Sequence, residues 1–342
     1  MTNTSRMTLL LAVAGCLFGG FFAIEEWFFH SSFKTNDSMI WTLPLITYIF
    51  LALMSTGASI LLALAEILDD DWLKQNKRQL LLTAIALLLG AFTALATEMG
   101  SPFSIIWLVL SPNVMSPIWW MGTLYSIELV LLLLKFLAEW KGVHLAKGRM
   151  LAWSTLVIAC LASLTLGSVF GTVVARAAFS GAQSALFTLV CAMVSGVSII
   201  GLLQVTRAFN PRLWGIWRLA VIAQIILLSV LWVYSIRNSG VGNGMWVQGW
   251  LPLGFVIALA LSFMNVKVAM LVTLLWSFLA EVAFVTSGQL VSLGPKSTWF
   301  GAVQHYVPNL AEIGILILGI SMAALLFQLM GLFINTRSSI AK

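Results

Sequence analysis

The sequence predicts an all-α integral membrane protein with about ten transmembrane helices and both ends in the cytoplasm. Three observations predict it: the apolar composition, the length of the apolar runs, and the way Lys and Arg are divided between the connections. Of the 342 residues, 61% are hydrophobic and only 9% are charged, whereas a soluble domain carries about 25% charged residues. A chain with this much apolar surface needs lipid as its solvent.

The apolar runs come close to the length of about 20 residues that a helix needs to cross a bilayer core about 30 Å thick. They lie near 7–29, 39–68, 80–98, 117–140, 151–174, 183–209, 213–236, 250–266, 268–286 and 310–334. The connections are too short for a soluble domain, so residues 1–342 are expected to form one polytopic membrane domain. The first run is too long for a signal peptide, and we expect it to stay as an additional N-terminal helix.

The positions of Lys and Arg predict the orientation, because positive residues near helix ends are retained in the cytoplasm. With the N-terminus inside, only four of the 18 Lys and Arg residues fall outside: Lys34, Arg176, Arg237 and Lys296. The rest fall in the inner connections and tails. This division also favours an even number of crossings. We therefore expect a multi-pass protein with both ends on the inner side.

The chemistry-bearing residues exclude several classes of site. The formal net charge is +6, but the basic residues are scattered between apolar runs, so nucleic acid is not an expected partner. Cys16, Cys160 and Cys191 have no paired spacing, so neither a metal site nor a disulfide framework is predicted. No P-loop, GxSxG or HExxH motif occurs in the sequence. Soluble catalysis by this chain alone is not indicated.

The three histidines bear on haem binding. A b-type haem in a helix bundle usually takes two axial His side chains inside the membrane. His30 and His305 fall at the predicted outer side and His144 in an inner connection, so no intramembrane pair can be formed. The sequence therefore predicts no haem in this chain, and electrons would have to pass to a redox centre in another subunit.

Several acidic residues fall at membrane depth, where a carboxylate is costly and is by default a functional candidate. Glu98, Glu281 and Glu312 are predicted toward the outer side, and Glu128 near the middle of its helix. Acids gathered near the outer face suit a quinol site, which must take up or release protons. These four residues are candidates for proton handling. The alternative is that each simply pairs with backbone or a neighbouring hydroxyl.

Three stretches carry a resemblance to a known family. They are EMGSPFSIIWLVLSPNVMSPIWW (98–120), HYVPNLAEIGILILG (305–319), and WTLPLITYIFLALMSTGASILLALA (41–65). The first resembles the polysulfide reductase membrane-subunit (NrfD-like) family, which has an acidic residue, Gly and Pro at the end of one helix, then Pro-Asn and Ser-Pro before the next. The second is similar to that family's Tyr-x-Pro-x-x-x-Glu pattern. The family-like core covers about 39–335.

The resemblance implies a haem-free subunit that exchanges electrons between menaquinone or ubiquinone and a partner. The implied partners are an iron–sulfur (ferredoxin-like) subunit and a catalytic subunit, often a molybdopterin enzyme, so clusters and molybdopterin would lie outside this chain. It also implies the inner membrane of a bacterium. The residues implied in quinone binding are Glu98, Asn113, Ser116, Trp119, Trp41, Tyr48 and Tyr306.

Two other functions stay open. About ten helices with buried acids are also ordinary in a secondary transporter, although the sequence shows no inverted repeat. A proton-translocating or structural subunit of a respiratory complex would share the family without the quinone. An anchor subunit should dock its partner through the outer segments 100–117 or 287–308, whereas a transporter needs a closable substrate path.

Overall fold

A computed structural model describes most of the chain. The described ranges are 3–29, 33–35, 39–68, 76–99, 102–142, 148–174, 176, 179–204, 211–238, 249–289 and 306–340. Within them all regular structure is helical and no strand occurs, which confirms the all-α prediction. In these ranges nine helices are long and apolar enough to cross a membrane, so the chain is a multi-pass membrane protein.

The helices follow one another with short connections. In chain order they are α1 (Asn3–Phe29), α2 (Leu43–Ile67), α3 (Lys77–Glu98), α4 (Ile106–Leu110), α5 (Pro117–Lys141), α6 (Gly148–Gly171), α7 (Gln183–Gln204), α8 (Pro211–Asn238), α9 (Trp250–Leu261), α10 (Val266–Ser287) and α11 (Leu310–Ile340). A 3₁₀ turn, Pro102–Ile105, precedes α4. Every predicted run except the eighth matches one long helix to within a few residues.

Local sequence signals set the helix ends. Pro117 and Pro211 are the first residues of α5 and α8, where a proline's missing N–H is no loss and its fixed φ suits the helix. Gly142 ends α5 in the left-handed region at φ 66, which glycine adopts without a steric penalty. The Asn265 side chain accepts hydrogen bonds from the N–H groups of Lys267 and Val268 and so caps α10.

That cap explains the one clear departure from the predicted spans. The apolar run over 250–266 is predicted to cross the membrane, but its helix, α9, ends at Leu261 after 12 residues. At about 1.5 Å per residue it is about 18 Å long, less than the bilayer core of about 30 Å. Ser262 to Asn265 form the turn into α10, which the hydropathy of the run does not reveal.

Helix α2 lies at the centre of the bundle. Its most apolar stretch is 94% buried, compared with 22% for α1 at the periphery. It packs against α3, α6, α7, α10 and α11, whereas α1 packs mainly on α11. Gly57 allows the close approach of α2 to α7, because a Cβ there would lie 1.9 Å from the carbonyl oxygen of Ala192. Small residues at such crossings are typical of membrane helices, whose association depends on close packing.

Several charged side chains lie at the two ends of the bundle. At one end Glu66 bonds Lys77 at 2.9 Å and Lys135 at 2.6 Å; we call this the basic end. At the other end lie Glu98 and Glu312, and we call this the acidic end. Residues predicted on one side of the membrane thus meet at one end of the fold. The assignment of the basic end to the cytoplasm rests on the charge distribution and belongs to the proposal below.

Candidate functional site

The start of α11 is held by Tyr306, Asn309 and Glu312, here called the Tyr306–Glu312 cluster. Asn309 Oδ1 accepts the Glu312 backbone N–H at 2.9 Å, and Glu312 Oε2 accepts the Asn309 N–H at 2.9 Å. This reciprocal pair is a capping box, which satisfies two free donors at the helix start. Glu312 Oε1 also accepts the Lys34 backbone N–H at 2.9 Å. Since Glu312 is buried and both of its oxygens are occupied, its contacts are those of a structural anchor.

Tyr306 joins this cluster to the start of α2. Its hydroxyl donates to Glu312 Oε2 at 3.0 Å and accepts the Leu43 backbone N–H at 2.8 Å. Burial and the nearby Glu312 carboxylate raise the pKa of the Tyr306 phenol above its usual value. The phenol therefore stays protonated and keeps donating at any physiological pH. Tyr306 and Glu312, placed together by the sequence pattern, are indeed neighbours.

Glu98 is the acidic side chain of this end that keeps a free oxygen. It lies at the last position of α3 and accepts a hydrogen bond from the Thr42 backbone, while Glu312 and Glu26 lie close enough to repel it. Its Oε2 is buried and has no hydrogen-bond partner among the residues that the structure describes. A buried acceptor left open is costly and invites a ligand donor or water. Glu98 is therefore the strongest candidate at this end to contact a small polar group.

Trp41 lies beside this site as part of the core. Its ring packs edge-on against Phe170, with centroids 4.9 Å apart, and lies 5.9 Å from Phe179. Gln289 fixes its backbone: Oε1 accepts the N–H groups of Ile40 and Trp41, and Nε2 donates to the Trp41 carbonyl, each at 2.9 Å. Trp41 was predicted as a quinone contact, and its described ring contacts are packing contacts with Phe170 and Phe179. Gln289 was not predicted, because its position at the end of α10 carries no motif.

A second group of polar side chains lies between α2 and α5 and extends from the middle of the bundle to the basic end. Among the described residues these two helices hardly touch through their backbones. Three side-chain pairs bridge the gap: Tyr48 with Tyr125, Thr56 with Glu128, and Glu66 with Lys135. We call this set the α2–α5 seam. It contains Glu128 and Tyr48, but no described contact joins these two to the Tyr306–Glu312 cluster.

Glu128 is fully buried in this seam and only partly satisfied. Thr56 donates to its Oε2 at 3.3 Å, and its Oε1 has no partner. The Tyr125 hydroxyl, one turn earlier on α5, is also buried without a partner. Tyr125 was not predicted, although its spacing of three residues before Glu128 places both on one helix face. Buried polar groups without partners are costly, so both are candidates to bind a proton or a water.

Glu281 lies on α10, close enough to Cys191 and to Tyr125 of the seam to interact with them electrostatically. It is fully buried, and neither of its oxygens has a hydrogen-bond partner among the described residues. Ser277, one turn earlier, and Gln224 on α8 also have buried side-chain oxygens without partners. Gln224 Nε2 contacts the Cys191 sulfur at 3.4 Å. An unpaired buried carboxyl is expensive in its charged form, so this group can hold a proton.

Asn113 and Ser116 lie in a tight turn before α5, and Trp119 lies in the first turn of that helix. Asn113 Oδ1 accepts the Met115 N–H at 3.2 Å, the Ser116 N–H bonds the Asn113 carbonyl at 2.9 Å, and Trp119 Nε1 donates to the Leu108 carbonyl at 2.8 Å. Their described hydrogen bonds therefore stay within this segment. Asn113 is exposed, and no described contact brings it to Glu98.

The predicted quinone residues thus divide into three groups: the acidic end with Glu98, Trp41 and Tyr306, the seam with Tyr48, and the turn before α5. Neither a family model nor a curated protein matches the chain. The three histidines and most of segment 287–308 lie outside the described residues. In the described ranges, no three His, Cys, Asp or Glu side chains converge as metal ligands would.

Proposed function

We propose that this chain is the quinol-interacting membrane anchor of a multisubunit respiratory oxidoreductase. It exchanges electrons between a membrane quinone, menaquinone or ubiquinone, and an iron–sulfur subunit docked at the acidic end. In this proposal the protein lies in a bacterial cytoplasmic membrane with the acidic end on the outer, periplasmic side. The resemblance of segments 98–120 and 305–319 to the NrfD-like family supports it.

One structural observation carries the proposal: the buried, unpartnered Oε2 of Glu98. A quinol has two hydroxyl groups, and its oxidation to the quinone releases two electrons and two protons. An open carboxylate oxygen can accept a hydrogen bond from one quinol hydroxyl and then its proton. The Tyr306–Glu312 cluster supports Glu98 by fixing the start of α2, whose Thr42 backbone bonds Glu98.

The partner subunits supply the redox centres in this proposal. The electrons pass to a cluster in the iron–sulfur subunit and from there to a catalytic subunit of molybdopterin type. An exposed and uncharged surface lies on the segment that follows Glu98 in the chain. Phe103 is 87% exposed, Trp107 62% and Met115 89%. Apolar patches of this kind mark protein or membrane contacts, and the iron–sulfur subunit is the contact we assign to it.

The first test is purification of the complex in a mild detergent. An iron–sulfur protein and a quinone should co-purify with the chain, and its reduced clusters should appear by electron paramagnetic resonance. Glu98→Gln keeps the side-chain shape but removes the proton acceptor, so quinol-linked electron transfer should fall about 100-fold or more. Glu25→Gln is the matched control, because Glu25 lies on peripheral α1; it should keep the wild-type rate.

The outcomes separate the proposal from its rivals. A correctly folded Glu98→Gln variant with the wild-type rate rejects the assigned role of Glu98. A pure chain with neither quinone nor iron–sulfur partner rejects the anchor function and favours a secondary transporter.

The α2–α5 seam favours a second candidate function, proton translocation. Its polar groups extend from Tyr48 through Glu128 to the Glu66–Lys135 pair at the basic end. In proteoliposomes, Glu128→Gln should lower the number of protons moved per electron while quinol oxidation continues. An unchanged ratio would exclude Glu128 from the path, and loss of both activities would place it in quinol chemistry instead.

A further inference from the structure

A cavity of about 700 Å³ lies between α2, α3, α7, α10 and α11. Its wall is formed mainly by apolar side chains, among them Phe50, Met54, Leu87 and Phe278. The volume falls in the range of about 300–1,000 Å³ typical of ligand pockets. None of the described residues that line it belongs to the proposed quinone set, so it is separate from the candidate site.

The cavity is open sideways toward the surrounding lipid. In the described residues α10 and α11 do not form a packed pair, although both pack on α2. Leu275 on α10 and Ile320 on α11 line the cavity and are 55% and 47% exposed. The gap between these helices is thus a lateral opening at membrane depth. A molecule can enter it from the bilayer without crossing an aqueous phase.

The polar side chains among the described residues that line the cavity are Thr8, Thr83 and Gln328. Thr83 donates to the Gln79 carbonyl of its own helix at 2.8 Å, and Gln328 Nε2 donates to Thr8 Oγ1 at 2.9 Å, so Thr8 on α1 and Gln328 on α11 form one polar end. The Gln328 Oε1 atom is buried and has no hydrogen-bond partner in the described part of the chain. This end faces the basic end of the bundle. A ligand that fits must therefore have a long apolar part and a polar group that reaches Gln328.

Two arginines lie at about the level of this polar end. Arg6 is two residues before Thr8 on α1, on a different face of that helix, and is exposed. Arg78, on α3, donates to the Gly331 carbonyl at 3.4 Å, one turn beyond Gln328. Basic residues at the membrane surface attract anionic lipid headgroups, at roughly 1 kcal/mol each. A phosphate at this level would be favoured by both arginines.

We propose that this cavity is a binding site for the acyl chain of an anionic phospholipid from the leaflet at the basic end. The chain enters between α10 and α11 and fills the apolar space. The phosphate lies near Arg6 and Arg78, and a headgroup or glycerol hydroxyl donates to Gln328 Oε1. The isoprenoid tail of a quinone is also apolar and would suit the same space. The arginines near the polar end favour a negatively charged headgroup, so we assign the site to the phospholipid.

The test measures the lipid that stays with the protein. Wild-type protein is purified in a mild detergent and washed free of bulk lipid, and bound molecules are identified by native mass spectrometry and lipid extraction. We expect one anionic phospholipid per chain. Ala324→Phe places a ring at an exposed position of the cavity wall and should lower this amount several-fold. Ala14→Phe, at an exposed position of α1 outside the cavity, should leave it unchanged.

The headgroup is tested separately. When the purified protein is offered phosphatidylglycerol and phosphatidylcholine, Arg6→Gln should lower the preference for the anionic lipid about fivefold. Leu275→Trp narrows the opening from the α10 side and replaces Ala324→Phe if that variant fails to fold. Equal lipid retention in wild type and in a folded cavity variant overturns the site. Recovery of an isoprenoid quinone in place of a phospholipid, or an unchanged preference in Arg6→Gln, overturns the assigned ligand.

Discussion

The Tyr306 hydroxyl lies between two groups: it donates to Glu312 Oε2 at 3.0 Å and accepts the Leu43 backbone N–H at 2.8 Å. Leu43 is the first residue of α2, and Glu312 lies in the first turn of α11. One phenol therefore joins the central helix to the last helix at the acidic end. The start of α2 also carries the backbone that bonds Glu98, so Tyr306 positions the candidate site without belonging to a polar path.

Tyr306→Phe should destabilise the protein by about 1–3 kcal/mol, because it leaves both Glu312 and the Leu43 N–H with one bond fewer in a buried place. Burial holds the phenol pKa above its usual value of about 10, so the bond is fully present below that pH. The loss, measured by thermal or denaturant unfolding in detergent, should thus be constant between about pH 5 and 9. A loss that changes across this window would show that another group controls the contact.

Lys135 should be costly to remove alone. It is almost fully buried and bonds Glu66 at 2.6 Å. Removal of one partner of a buried ion pair leaves an uncompensated charge and lowers the free energy of unfolding by roughly 3–5 kcal/mol. Because Lys77 still contacts Glu66 at 2.9 Å, we expect the loss in Lys135→Met to lie toward the lower end of that range. Denaturant or thermal unfolding in detergent measures this loss of stability.

The control is the other lysine. Lys77 is 38% exposed, and exposed ion pairs contribute only about 0–1 kcal/mol, so Lys77→Gln should have a small effect. The double variant Glu66→Gln/Lys135→Met removes both buried charges and should recover part of the stability lost in Lys135→Met. A double variant less stable than the single one would contradict the assigned pairing.

The sequence was sufficient to predict most of the fold, because a helix that crosses lipid needs a long apolar run whatever its neighbours are. It could not predict that α2 lies at the centre. Gly57 allows the close contact of α2 with α7, but the sequence does not distinguish it from the other 25 of the 26 glycines. Nor could it predict that α9 stops at Leu261. The residues that end this helix are apolar except for Ser262 and Asn265.

The candidate site was predicted in part. Depth in the membrane placed Glu98 and Glu312 at the same end, and the structure brings them together. The sequence cannot show whether a carboxylate is already hydrogen-bonded, so Glu98 and Glu312 were given similar roles. In the structure Glu312 caps a helix, whereas Glu98 keeps a free oxygen. Gln289 and Tyr125 were missed because the residues they contact, Trp41 and Tyr48, are distant in sequence.

Glu281 should be replaceable without loss of stability. Both of its oxygens are buried without a partner, and such a group costs roughly 1–3 kcal/mol by protein mutational data. Glu281→Leu, of similar volume, should therefore unfold at the same temperature as wild type or at a higher one. If Glu281 handles protons as proposed, the same variant should lose quinol-linked electron transfer. Stability and activity would then change in opposite directions, as is common at functional sites.

Ser277→Ala provides the comparison for Glu281. The Ser277 hydroxyl is buried and unpartnered on the same helix face, so its removal should also keep or raise the unfolding temperature, but electron transfer should continue. A marked loss of stability in Glu281→Leu would mean that the carboxyl has a partner, such as an internal water. Full activity in a stable Glu281→Leu variant would remove Glu281 from the proton-handling residues.

Gly57 and Gly20 should respond oppositely to the same substitution, since only one of them lies at a helix crossing. A Cβ at Gly57 would lie 1.9 Å from the Ala192 carbonyl oxygen and 2.8 Å from Gly196 Cα, whereas nothing lies within 4 Å of a Cβ at Gly20. The obstructing atoms at Gly57 are backbone, so α2 and α7 would have to move apart, at about 1–3 kcal/mol or more. Gly20→Ala removes a flexible residue from a helix and should be neutral or stabilising by up to about 1 kcal/mol. Unfolding of both variants in the same detergent compares them directly, and a Gly57→Ala protein as stable as Gly20→Ala would show that the two helices are not in close contact.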